Sequence, residues 1–192
     1  MPFPGPSRPF RAADAVRRVG ALLLCSVAVI AAACEPPPPP PVGDPLTGHR
    51  NGIGCPAGPD FDVCQRSAEA ARSDTAARAI KFALAQVGVP YGSVGRFGPH
   101  AYDCSGLVWQ AYQSAGVDIG ANLSSTIVTP GGPRWSVPLP HVQPGDVLWY
   151  PGHVAIALAD GRIVEAARPG TTVRVVSAAH RGFTRAVAVD GP

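Results

Sequence analysis

Six consecutive prolines, Pro36 to Pro41, interrupt this chain. A proline run has few amide hydrogens to donate and fixes each φ near −65°. It therefore excludes helix and central strand and leaves an extended, semi-rigid spacer. Residues 35–46 are read as that spacer, which divides a short leader from a later part long enough for one modest core.

The leader has its own pattern. Arg8, Arg11, Arg17 and Arg18 lie within residues 1–20, and residues 19–33 are apolar and end in three alanines. A basic region, a short apolar core and an Ala-x-Ala site at Ala31 to Ala33 form a secretory signal peptide. The apolar run is short of the roughly 20 residues that span a bilayer. The expected division is a signal peptide at 1–33, a Pro-rich linker at 34–72 and a folded domain at 73–192, exported to the cell envelope. The formal charge of +3 belongs to the leader, where four arginines face Asp14 alone, while residues 34–192 carry 12 basic and 12 acidic side chains. The exported part thus gives no electrostatic case for binding nucleic acid.

The five cysteines sort by position. Cys25 leaves with the leader. Cys34 follows Ala31-Ala32-Ala33 in the manner of a bacterial lipoprotein signal, although Ala31 stands where leucine is usual. Lipid attachment at Cys34, with membrane anchoring through it, stands as one expectation and ordinary cleavage as the other. Cys55 and Cys64 lie close together in a Gly/Pro-rich stretch of an exported protein, which favours a disulfide. A zinc site fits them poorly, because no paired metal-ligand spacing accompanies them. Cys104 is left unpaired.

Cys104 opens a helical pattern. Asp103 is a good N-cap, able to accept from the amide of Ser105 or Gly106. Leu107, Val108, Ala111, Tyr112 and Ala115 recur at helical spacing, and Gly116 supplies a stop. A cysteine in the first helical turn sits at the positive end of the dipole, which favours the nucleophilic thiolate. The alternative is a buried, inert cysteine. A second helix is expected over Ala76 to Val87, with Ala79, Ile80, Ala83, Leu84 and Val87 on one stripe. Residues 47–66 read as irregular, and 119–145 as a long Pro/Gly/Ser loop around Trp135 of the kind that often binds substrate. Strands are expected at Asp146–Tyr150, His153–Ala159, Arg162–Ala166, Thr172–Ser177 and Arg185–Val189. Helices followed by a meander of strands give an α+β fold.

Strand parity selects candidate partners for the thiol. A two-residue turn at Asp160-Gly161 would place Glu165 on the apolar face of Val154, Ile156 and Leu158, at a high desolvation cost. A three-residue turn, Ala159-Asp160-Gly161 with Gly161 left-handed, pairs Leu158 with Arg162 instead. His153, Ala155, Ala157 and Glu165 then share one face, with Glu165 on a reachable diagonal from His153. The small alanines are expected to let the cysteine helix pack closely there. A structural histidine and a solvated strand acid are the alternatives for His153 and Glu165. Together with Cys104 they form a nucleophile, base and orienting carboxylate, a set that needs no cofactor and no metal. His100 is the rival histidine; His49, His141 and His180 have weaker claims.

At these residues the chain resembles the NlpC family of bacterial cell-wall cysteine peptidases, a papain-like group. The resemblance covers roughly residues 74–190. It is carried in order by Ala85-Gln86-Val87-Gly88-Val89-Pro90-Tyr91, Tyr102-Asp103-Cys104-Ser105-Gly106-Leu107-Val108, Gln143-Pro144-Gly145-Asp146-Val147-Leu148 and Gly152-His153-Val154-Ala155-Ile156. It implies N-terminal helices packed on a central antiparallel sheet. It also implies cleavage of peptidoglycan stem peptides, commonly between D-glutamate, through its γ-carboxyl, and meso-diaminopimelate. Tyr91 is then expected near the thiol, and Asp103 and Ser105 in stem-peptide binding. Many members carry histidine where this chain has Glu165; Rip-type mycobacterial hydrolases are similar to it in using glutamate. The loop after Gly120 lacks the Pro-Arg-Thr-Ser-type run common in the family. Other expected readings are a peptidoglycan-binding module that does not cut, and an amidase or acyltransferase on the same frame. The chain is expected to act as a monomer, with residues 47–72 able to fold across the cleft and restrain it.

Overall fold

A computed structural model of the chain describes residues 54–93, 96–120 and 124–191. The leader, Cys34, the proline run and His49 lie outside them. Helix α1 is Phe61–Glu69 and α2 is Asp74–Ala85; α3 is Cys104–Ser114, and the single turn α4 is Ser124–Ile127. The strands follow as β1 Arg134–Val137, β2 Val147–Tyr150, β3 His153–Ala157, β4 Arg162–Ala166, β5 Val173–Ser177 and β6 Arg185–Val189. They form one antiparallel sheet in the order β1-β6-β2-β3-β4-β5. This is the expected α+β architecture.

The β3–β4 turn fixes what the sheet presents. Ile156 pairs with Val164 and Ala157 with Ile163, and the Leu158 amide donates to the Arg162 carbonyl at 2.8 Å. This is the register of the three-residue turn. Gly161 is left-handed with φ 64°, and so is Asp160 with φ 59°. Val154, Ile156, Leu158 and Val164 consequently share a core with Ile80, Leu84, Leu107, Val108 and Tyr112 from α2 and α3. The cysteine helix therefore packs on this branched face, not on the alanine face expected for it. The reason is area: branched side chains offer a helix more apolar surface to bury than alanines do. Ala155, Ala157 and Ile163 belong instead to a smaller cluster with Leu148, Val142 and Phe183, on the other side of the sheet.

The folded unit also starts earlier than residue 73. Residues 54–72, expected as linker and in part as irregular chain, contain α1, and Val63 and Cys64 are buried in the same core as Ile80 and Leu84. Cys55 and Cys64 are joined, with S–S 2.05 Å and Cα atoms 5.7 Å apart. Ser67 Oγ accepts from the Ala159 amide at 2.9 Å, and Arg66 pairs with Asp160 at 2.9 Å. Arg72 pairs with Asp146 at 3.0 Å. The described part of the segment expected to restrain the cleft is thus committed to α2, the β3–β4 turn and the 141–146 stretch, and Cys104 stays partly exposed.

Two smaller differences have local causes. Ser73 caps α2, accepting from the Ala76 amide at 3.1 Å, so the helix starts two residues early and ends at Ala85. Val87, expected on its apolar stripe, lies past that end and is exposed. Within 119–145, Arg134–Val137 forms an edge strand because β6 offers it a partner.

Gly106, in the first turn of α3, explains how tightly the cysteine helix is seated. A Cβ there would fall well inside van der Waals contact of the Arg96 carbonyl oxygen, which is backbone and cannot swing away. Helix propensity alone would make Gly106→Ala stabilising by about 1 kcal/mol. Overpacking costs about 1–3 kcal/mol and should win here. Urea unfolding of Gly106→Ala is expected to show a net loss of stability.

Candidate active site

Asp103 caps α3 through Oδ1, which accepts from the Gly106 amide at 2.6 Å and from Ser105 Oγ at 3.0 Å. The cap fixes the first turn, and with it the Cys104 side chain. Across from it, the β2–β3 turn brings the Gly152 carbonyl to 4.0 Å from Cys104 Sγ. His153 follows Gly152 at once and begins β3, so the imidazole enters the site next to the carbonyl that the sulfur approaches. The sulfur and the imidazole meet because each stands at an end of its own element. A shared packing face is not required.

His153 Nε2 lies 2.9 Å from Glu165 Oε2. This contact engages Nε2 and leaves Nδ1 as the ring nitrogen not held by Glu165. Glu165 is wholly buried at 0% exposure, and its other oxygen is fully engaged. Oε1 accepts from Arg174 Nε at 3.1 Å and Nη2 at 2.9 Å, and also from Arg181 Nη2. One oxygen therefore serves the histidine and the other serves two guanidinium groups. Tyr150 rests on the imidazole with ring centroids 5.1 Å apart, and Phe183 backs Tyr150 at 5.4 Å.

The electrostatics follow from these contacts. Burial works against the His153 cation, but hydrogen bonds to Cys104 and Glu165 and their negative fields outweigh it and raise its pKa from 6.5 to about 9. Burial alone would raise the Glu165 carboxyl. Hydrogen bonds from His153, Arg174 and Arg181 overcome it and lower the pKa from 4.5 to about 2. The two shifts have opposite consequences for stability. The His153 contribution is complete below pH 6.5 and is lost as pH rises through about 9. The Glu165 contribution is present above pH 4.5 and is lost as pH falls towards about 2.

Tyr91 is held close to the start of α3, as a short bridge pairs Tyr91 with Tyr102 and the Gly92 amide donates to the Tyr102 carbonyl at 3.1 Å. Burial raises the Tyr91 phenol pKa, and so do the fields of Cys104 and Asp103, while Arg96 lowers it. Cys104, His153, Glu165, Tyr91, Asp103 and Ser105 are thus gathered at one place. His100, His141 and His180 are exposed, and Cys55 and Cys64 belong to the α1 disulfide.

Three arginines of this site were not among the residues singled out from sequence. Arg174 carried a signal, since the pairing of β4 with β5 puts it directly opposite Glu165. Arg181 sits in a loop, and no periodicity points to it. Arg96 reaches Asp103 Oδ2 at 3.0 Å from the Gly-rich segment before α3.

The sequence profile of the NlpC/P60 family matches residues 88–190, which hold every one of these side chains. The chain belongs to the NlpC/P60 family. Among NlpC/P60 relatives, a probable endopeptidase of Mycobacterium tuberculosis (strain ATCC 25618 / H37Rv) is 41% identical over 100 residues, covering 50% of this chain and 25% of that protein. The chain therefore spans about a quarter of that relative's length. The solved structure of the peptidoglycan hydrolase RipB from Mycobacterium tuberculosis matches with TM-score 0.51 and 27% identity, over 69% of this chain and 72% of that one. RipD from the same organism, a non-catalytic NlpC/p60 domain protein with an adaptation to peptidoglycan-binding function, matches with TM-score 0.51 and 26% identity, over 60% of this chain and 97% of that one.

Proposed function

We propose that this chain is a cysteine-type peptidoglycan endopeptidase. Its substrate is the peptidoglycan stem peptide, and its bond is the amide between the D-glutamate γ-carboxyl and meso-diaminopimelate. The observation that carries this reading is the buried His153–Glu165 pair ending at a partly exposed thiol. A histidine fixed on one nitrogen by a carboxylate and facing a sulfur with the other is suited to acyl transfer.

His153 Nδ1 takes the Cys104 proton, and the sulfur attacks the D-glutamate γ-carbonyl carbon. Amides of the first turn of α3 face the developing oxyanion. The tetrahedral intermediate collapses as His153 returns the proton to the diaminopimelate nitrogen, which leaves as an amine. Water, deprotonated by His153, then attacks the thioester carbonyl and releases the new carboxyl and the thiol. Glu165 holds the ring and stabilises its cation throughout.

The same proposal includes the export of the chain by residues 1–33, a location in the cell envelope, action as a monomer, and attachment of lipid at Cys34. Residues 34–53 then act as the tether, since the folded unit includes residues 54–72.

The test is incubation of the purified chain with L-Ala-γ-D-Glu-meso-diaminopimelate peptides, free and N-acetylated, with products read by mass spectrometry. Release of diaminopimelate supports the reading. An intact peptide with folded protein rejects it. The pH–rate profile gives a second check. His153 must carry the proton it hands to the leaving amine, so kcat/KM, which follows the free enzyme, is expected to fall as pH rises through about 9. A descending limb near the ordinary histidine value of 6.5 would contradict the role given to the Cys104 and Glu165 contacts.

A further inference from the structure

Asp103 stands next to Cys104 in the chain and caps the helix that the thiol begins, but its charge is already spent. Oδ1 accepts from Ser105 Oγ and the Gly106 amide, and Oδ2 accepts from Arg96 Nη1 at 3.0 Å. The Asp103 side chain is 12% exposed and that of Arg96 is 24%. The cation is thus the more accessible half of the pair. Arg96 is also firmly held. Its carbonyl accepts the Asp103 amide at 3.2 Å and closes over Gly106, while its Nη1 reaches Asp103 Oδ2 at 3.0 Å and Ser105 Oγ at 3.5 Å, so backbone and side chain both hold Asp103. Its guanidinium lies 4.5 Å over the Phe97 ring, and Phe97 packs edge-on against Trp109 of α3 at 5.1 Å. This is a braced ion pair, unlike the surface pairs that solvent readily opens.

We propose that Arg96 determines substrate choice at this site: by neutralising Asp103 beside the thiol it favours stem peptides whose L-alanine nitrogen is acylated, as in stems still joined to the glycan, over free peptides that end in an ammonium group. The inference rests on the stem-peptide reading above, in which the L-alanine nitrogen lies one residue beyond the D-glutamate under attack. An ammonium group brought to this wall would leave water without gaining an uncompensated carboxylate, and it would face the guanidinium. An acylated nitrogen brings no charge and loses nothing.

The test uses the full chain and two peptides, L-Ala-γ-D-Glu-meso-diaminopimelate and its N-acetyl form. The N-acetyl peptide is expected to have the higher kcat/KM by about tenfold or more, since like charges set side by side are strongly disfavoured. Arg96→Gln, which frees Asp103, is expected to shrink that ratio by raising kcat/KM for the free peptide; Arg96→Lys is expected to keep it. Equal or better cleavage of the free peptide by the wild-type chain overturns the proposal and leaves the endopeptidase reading intact. A ratio unmoved in folded Arg96→Gln overturns the role of Arg96. Cleavage of neither peptide by folded wild-type chain overturns the endopeptidase reading, and this proposal with it.

Discussion

Cys104→Ala is expected to lower turnover of the γ-D-Glu–diaminopimelate bond by on the order of 10⁴-fold or more, the scale seen when an acyl-transfer nucleophile is removed. Its stability should stay within about 1 kcal/mol of the parent, because the thiol is partly exposed and only borders the core, and the change removes a single sulfur atom. Peptide hydrolysis followed by mass spectrometry measures the first quantity, and thermal unfolding the second. The pair of results separates an enzyme from a binding module. RipD is similar in fold and is non-catalytic. If this chain worked in that way, the parent would bind stem peptide without product, and Cys104→Ala would bind equally well. A hydrolase instead loses product formation while keeping affinity.

Glu165→Ala should damage both activity and stability. Turnover is expected to fall about 10³–10⁴-fold, because the imidazole loses the group that fixes its orientation and supports its cation. Breaking a buried ion pair costs about 3–5 kcal/mol. Arg174 is 38% exposed and Arg181 29%, so both guanidinium groups can turn towards water. The lower end, about 3 kcal/mol, is therefore expected in urea unfolding. Glu165→Gln keeps the shape but not the charge, and it should recover part of the stability with little of the turnover. A Glu165→Gln chain with parental kcat would remove Glu165 from the mechanism.

The parts of this site that were legible in sequence are those set by near neighbours. Asp103, Cys104 and Gly106 lie within one helical turn, so cap and nucleophile could be read together. The turn at Ala159-Asp160-Gly161 settled the face of Glu165, because only one register kept a carboxylate off the branched apolar face. Arg96 and Arg181 were not legible, since each reaches its carboxylate through loop geometry that no periodicity records. Helix α1 was obscured differently. Val63, Cys64 and Ser67 have helical spacing and are buried, but the Gly/Pro-rich approach and the paired cysteines read as a loop. The packing of α3 was misplaced because parity assigns residues to faces without saying which face a helix will cover.

The site is assembled from two sides of the sheet, and they can fail separately. The helical layer delivers the sulfur through Asp103 and the seat of α3. The thinner opposite side steadies the base: one loop supplies Arg181 to Glu165 and Phe183 to Tyr150, which rests on His153. Loosening that loop alone would leave a cooperative core and a thiol still open to alkylation, yet with no oriented imidazole to drive turnover. Labelling of Cys104 and hydrolysis are therefore independent reports on this molecule, one for each layer.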